Sequence, residues 1–169
     1  GRVMLVLQDR CLEMIVREEC MVVVNDTPLV ISQHTALRMQ GIDPTIRRVS
    51  PMLEQLTGEA VTEMRGLVAP LVGYLVAPVT ATDADGAIVG EATRFGGGYF
   101  ATGLAQADEV AVVVCTVGRG VDERMATVQT TDAALAMALG GAASAAVVEL
   151  STHACRAITD KAAERGLRA

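Results

Sequence analysis

Hydrophobic positions fall into three kinds of run along this chain, and each kind predicts a different element. Ile46, Val49, Leu53, Leu56, Ala60, Met64 and Leu67 recur every three or four residues, which places them on one face of a long helix. Leu135, Leu139, Ala142, Ala146, Leu150, Ala154 and Ile158 keep the same spacing near the C-terminus and predict a second long helix with one buried stripe. Glu109–Val117 (EVAVVVCTV) is instead apolar without interruption, as expected of a buried strand. From Tyr74 the period drops to two, through Leu75 and Val79, and Ile88-Val89 and Ala92 follow a polar interval.

Turn and capping residues divide these runs. Val22–Val24 is a short β-branched strand followed by the turn residues Asn25-Asp26-Thr27-Pro28. Ser32 is placed to cap a short helix that Gly41 stops. Asp43-Pro44 restarts a helix, and Ser50-Pro51 re-initiates it after a kink. Pro70 and Gly73 close the first stripe. Asp83-Ala84-Asp85-Gly86 reads as a hairpin turn or a longer loop. Phe95–Phe100, with three consecutive glycines, reads as a flexible link before a short helix at Thr102–Gln106. Gly118-Arg119-Gly120 breaks the apolar strand, and a helix starts near Val121. Thr131 caps the final helix, with Asp132 in its first turn, and Gly166 ends it.

The resulting order, β–α–α–β–β–α–β–α–α, predicts an α+β fold in which a mixed, mostly antiparallel sheet packs against long helices. At 169 residues the chain suits one domain. Residues 1–21 fit that domain poorly and are set apart as an N-terminal arm or a non-native extension, which leaves residues 22–169 as the domain proper.

Composition narrows the function. A hydrophobic share of 51 % supplies enough apolar surface to offset the entropy of ordering, yet aromatic residues make up only 2 %, so the core must be Val, Leu, Ala and Met. The net charge is −6, and neither the basic face nor the aromatic platforms of a nucleic-acid binder are present. An anionic membrane surface is disfavoured on the same ground. Met4–Leu7 is too short for a secretory or spanning segment, so a cytoplasmic location is expected. The four cysteines, Cys11, Cys20, Cys115 and Cys155, form no C-x-x-C pair, and with His34 and His153 they give no zinc-ligand spacing. Buried thiols in a reducing compartment fit that pattern, although a disulfide is compatible with it.

Candidate chemistry is confined to a few positions. Gly118-x-Gly120, between a strand and a helix, either makes a tight turn or receives an anion at the helix N-terminus. Glu123 stands where the dinucleotide fingerprint needs its third glycine. Gly140-Gly141 lies in mid-helix at a cost of about 1–2 kcal/mol in helix propensity, offset either by close approach of another backbone or by a cofactor resting on the bare face. Ser144 and His153 lie too far apart along that helix to act as nucleophile and base. Glu149, Arg156 and Asp160 are its polar positions. No catalytic constellation and no metal site are expected.

Two stretches together resemble a known family: Pro28–Gly41 (PLVISQHTALRMQG) with the long helix after it, and Leu104–Gly166, with its LAQADE, the apolar strand, Thr116-Val117-Gly118 and the small-residue helix around ALGGAASAAVVEL. The chain from about Val22 onward is similar to the activation (reactivation) domain of cobalamin-dependent methionine synthase, in its short stand-alone form. The resemblance implies an activation-domain-like fold that binds S-adenosylmethionine and docks on a cobalamin-binding protein or corrinoid methyltransferase. There it supports reductive remethylation of the corrinoid, with an electron from a flavodoxin-like donor. It implies a pocket for S-adenosylmethionine at or near Thr116, Gly118 and Glu149, and cobalamin reached only through the partner, since no Asp-x-His-x-x-Gly motif is present. In that family an Arg-x-x-x-Gly-Tyr segment after the last helix holds the methyl donor, and any such segment would lie beyond Ala169. Where the family carries acidic residues around its Gly-Ser step, this chain has Gly140, Ala145 and Val148. The alternative is a degenerate member of the family, a non-catalytic interaction subunit that binds no small molecule. A homo-oligomer is compatible with either expectation.

Overall fold

In a computed structural model, residues 3–7, 22–24 and 29–167 are described. The fold is mixed α and β, as the patterning predicts. Its elements are β1 (Val3–Leu7), β2 (Val22–Val24), α1 (Gln33–Met39), α2 (Pro51–Leu67), β3 (Leu71–Asp83), β4 (Gly86–Val89), β5 (Thr93–Gly96), α3 (Gly98–Leu104), β6 (Glu109–Thr116), α4 (Arg119–Val128) and α5 (Ala133–Glu164). The described residues group into two compact units, one holding residues 3–7, 22–24, 72–114 and 153–167 and the other residues 29–71 and 115–152.

The first is a sheet unit with strand order β1-β6-β3-β4-β5, and β2 pairs with β3. β1 runs parallel to β6, Val3 opposite Glu109 and Leu7 opposite Val113, while β2–β3, β3–β4 and β4–β5 are antiparallel. The sheet is therefore mixed and mostly antiparallel. Val110, Ala111, Val112 and Val113 are all buried, so β6 is covered on both faces, which is why its sequence does not alternate. Val110 and Val112 pack with Ala87, Val89, Phe95 and Leu104 into one apolar cluster, flanked by Phe100 with its ring 5.3 Å from that of Phe95. Tyr74 on β3 is buried, and its hydroxyl oxygen accepts a hydrogen bond from Lys161 Nζ on α5 at 3.0 Å. The ammonium also lies 5.5 Å from the centre of the ring. That hydrogen bond raises the Lys161 pKa.

The second unit is helical. Ser50, extended at φ −71° and ψ 143°, caps α2 by accepting the Leu53 N–H at 3.3 Å, and Pro51 takes the first turn. Gln33 Nε2 donates to the Glu54 carbonyl at 2.6 Å and ties the start of α1 to the first turn of α2. Arg124 of α4 is ion-paired and hydrogen-bonded to Glu63 of α2. Ala36, Leu37, Ala60, Val61, Met64, Val121, Leu139, Ala142, Ala146 and Leu150 make up much of the buried apolar side.

Several expectations need correction. Asp43-Pro44 does not start a helix: the Asp43 carboxylate accepts the Thr45 N–H at 2.9 Å and the Thr45 hydroxyl at 2.6 Å, so the side chain competes with the helical ladder. Pro51 in turn holds Ser50 out of the helical region, and the long helix begins there instead of being kinked there. Ile46, placed on the helical stripe by its spacing, is 84 % exposed in the loop. The final helix is capped by Asp132, whose carboxylate accepts the Leu135 N–H at 2.9 Å; the Thr131 hydroxyl donates back to the Val128 carbonyl. The Phe95–Phe100 link is strand and helix: Phe95 and Gly96 belong to β5, and α3 starts at Gly98, earlier than Thr102. Val3–Leu7, within the segment set apart as an arm, forms β1, while residues 8–21, with Cys11 and Cys20, lie outside the described residues, as do the turn residues 25–28.

The hairpin reading of Asp83–Gly86 matches the structure, with Ala84-Asp85 as the loop and Asp83 paired with Gly86. Gly86 needs its missing side chain, since a Cβ there would come within 2.1 Å of the Phe95 carbonyl oxygen. The stripe of α5 is buried from Leu139 to Ile158. By length and composition α5 meets the requirement for crossing a membrane, with a window of mean hydropathy 1.7, of which 39 % is buried inside the fold. Part of that apolar character is the buried stripe, while Met137, Val147 and Val148 are exposed.

Candidate functional site

The glycine turn after β6 is the first place to look for a ligand, because it ends a buried strand and opens a helix. Gly118 has φ +91°, a conformation that side-chain-bearing residues rarely adopt, and it precedes the first turn of α4. Thr116, exposed at the end of β6, accepts the Gly118 N–H on its Oγ1 at 3.1 Å. The turn is thus closed by its own side chain. Its outer surface is occupied as well: the Ala69 N–H donates to the Val117 carbonyl at 2.8 Å. A Cβ on Gly118 would lie 3.0 Å from Ala69 Cβ, and one on Gly120 would lie 3.0 Å from the Leu67 carbonyl oxygen. Both glycines are explained by the chain that leaves α2 and crosses this turn. Of the two readings open at Gly118-x-Gly120, the tight turn accounts for every glycine without an anion.

The mid-helix pair Gly140-Gly141 resolves in the same way. A Cβ on Gly141 would lie 2.7 Å from the Ala36 carbonyl oxygen and 2.6 Å from Gln40 Cγ, so the backbone of α1 lies directly against α5. Gly140 is different, with Met125 Cε at 3.5 Å as its nearest neighbour. Close approach of another backbone therefore offsets the low helix propensity at Gly141. At this position the neighbouring backbone is that of α1.

Gln40 is the functional group that pattern reading overlooks. Its Nε2 donates to the Ala36 carbonyl at 3.1 Å and to Thr57 Oγ1 at 3.2 Å, and Thr57 is fully buried. Its Oε1 is buried and has no hydrogen-bond partner. A buried amide oxygen left unpaired costs about 1–3 kcal/mol. Only its place at the end of α1, one residue before the helix-stopping Gly41, marks Gln40 in the sequence.

Of the three residues tied to a donor pocket, Thr116 and Gly118 are brought together by their hydrogen bond. Glu149 is half-buried on α5, a separate element of the same unit. Ser144 is exposed and His153 half-buried, both on α5, with about 13 Å of helical rise between them. Arg156 and Asp160 are exposed there. Cys115 and Cys155 are half-buried thiols. Among the described residues, no three His, Cys, Asp or Glu side chains converge as a metal-binding group. No protein-family model matches this chain and no curated protein matches it, so its function has to be argued from these residues and their geometry.

Proposed function

We propose that this chain is an accessory protein of cobalamin-dependent methyl transfer, resembling the activation domain of methionine synthase, that acts by holding and positioning partners. The observation that supports it best is the succession of a strand buried on both faces, the Thr116-Val117-Gly118 turn, and two helices of which the second is lined with Ala and Gly. The resemblance implies that this succession lies at or near the methyl-donor pocket. The task of such a module is orientation, which demands rigid elements and no general base. In this reading the protein is cytoplasmic, and cobalamin and a flavodoxin-like electron donor reach it only as parts of partner proteins.

The fit to S-adenosylmethionine is poor at the glycines. The faces of Gly118, Gly120 and Gly141 that a cofactor would use are taken by Ala69, Leu67, and Ala36 with Gln40. Thr116 and Glu149 are left as contacts. That observation favours the second reading, an interaction subunit of a corrinoid or methyl-transfer complex that binds no small molecule.

One titration separates the two. Calorimetry with S-adenosylmethionine is expected to show weak binding if the donor reading holds, reduced by Glu149→Ala. Absence of heat up to roughly millimolar ligand rejects the donor site and leaves the interaction subunit.

A further inference from the structure

The loop between α1 and α2 carries a surface unlike the rest of the chain. Residues 29–53 hold Arg38, Arg47 and Arg48 against Asp43 as their only acid, in a protein whose net charge is −6. Arg47 and Arg48 are exposed, and between them and the Asp43 turn stands Ile46 at 84 % exposure, with Met52 at 75 % on the first turn of α2. Arg38 Nε lies 3.9 Å from the Asp43 carboxylate. That contact and the hydrogen bonds from the Ile46 and Arg47 N–H groups to the Asp43 carbonyl gather these three residues around Asp43.

The loop is also held in shape. The Asp43 carbonyl accepts the Ile46 N–H at 3.2 Å and the Arg47 N–H at 3.0 Å, its carboxylate holds Thr45, Val49 is buried, and Ser50 caps α2. A large apolar side chain kept outside by a pre-ordered loop, among guanidinium groups, has the makings of an interface anchor: the ordering cost of binding is already met.

We infer that this loop docks an acidic protein surface that presents an apolar side chain among carboxylates. Charge complementarity selects that occupant. A second copy related by a twofold axis would set the patch against itself and bring like charges together. A membrane or a nucleic acid is disfavoured because residues 29–53 contain no aromatic side chain to lie in a lipid interface or stack on a base. The inference stands on this surface alone and does not depend on the corrinoid reading.

The test uses the full chain and a fluorescein-labelled synthetic peptide in which leucines at helical spacing are flanked by glutamates. Binding by anisotropy is expected, weakening as salt rises, and dropping about tenfold or more in Arg47→Glu/Arg48→Glu and in Ile46→Ser, with the thermal midpoint unchanged because all three positions are exposed. The matching peptides with lysine for glutamate, or serine for leucine, are expected not to bind. The inference is overturned if the glutamate–leucine peptide does not bind, if it binds both variants as tightly as the parent chain, or if vesicles containing phosphatidylserine are bound in its place.

Discussion

Adjacent glycines in mid-helix look equivalent in a sequence, and the structure makes them opposites. At Gly141 an added methyl group would meet the Ala36 carbonyl oxygen at 2.7 Å, and a backbone oxygen within a packed helix has nowhere to move. Overpacking of this kind costs about 1–3 kcal/mol, which outweighs the helix-propensity gain of about 1 kcal/mol. At Gly140 the nearest atom is the flexible Met125 Cε at 3.5 Å, so only the propensity gain remains. Gly141→Ala is therefore expected to lower the urea midpoint and Gly140→Ala to raise it, by up to about 1 kcal/mol. If both substitutions shift the midpoint in the same direction, the close approach of α1 is wrong. The same contrast explains why the candidate site was only half legible. Gly118-x-Gly120 and Gly140-Gly141 announce that something lies close to the backbone. The spacing of glycines cannot say whether that is a ligand or the chain's own Ala69, Leu67 and Ala36, because each of these demands the same missing Cβ.

Elements were legible where one physical cause dominated. β6 followed from burial on both faces, α5 from its stripe, and the β3–β4 hairpin from Asp83–Gly86. β5 was hidden because glycines and aromatics around Phe95 read as a link, although Phe95 is a core residue. The false start at Asp43-Pro44 arose because Ile46 and Val49 fell by chance on the period of α2. The hairpin also supplies a pH test. Arg94 donates to both oxygens of Asp83 at 2.8 and 2.9 Å, and the Asp85 N–H donates to one of them at 2.9 Å. The Arg94 hydrogen bond, then that of Asp85, holds the Asp83 carboxyl below its ordinary pKa. A lowered native pKa stabilises the fold above the unfolded value, and that contribution is lost as pH falls through the native one. Asp83→Asn is accordingly expected to melt slightly below the parent protein at neutral pH, with the gap closing under acid conditions and narrowing in high salt, since the pair is exposed. Thermal midpoints of both proteins across that range check it, and a gap that widens toward acid would contradict the assignment.

At the scale of the whole molecule, α5 is the longest of the elements that both compact units share, since β3 and β6 cross the division only at their ends. The residues of α5 up to Thr152 group with the helical unit, and those from His153 group with the sheet unit, while its hydrogen-bond ladder runs without a break from Ala133 to Glu164. Patterning reads the buried stripe from Leu139 to Ile158 as one helix in one domain, but cannot show that the neighbours of that helix change part-way along it. Thr152→Pro places a break at this junction. Proline removes the residue's N–H and sets its ring against the Val148 carbonyl, at a cost of about 3 kcal/mol or more inside a helix. Thr152→Ala serves as the control, since it keeps the backbone bond and loses only the side-chain hydrogen bond to that carbonyl at 2.8 Å. Because the two stretches of α5 are continuous, the proline is expected to lower the unfolding midpoint and to speed hydrogen exchange in both β6 and α4, whose amides belong largely to different units. Faster exchange in only one of them would mean that each unit holds its own stretch of α5 without help from the other.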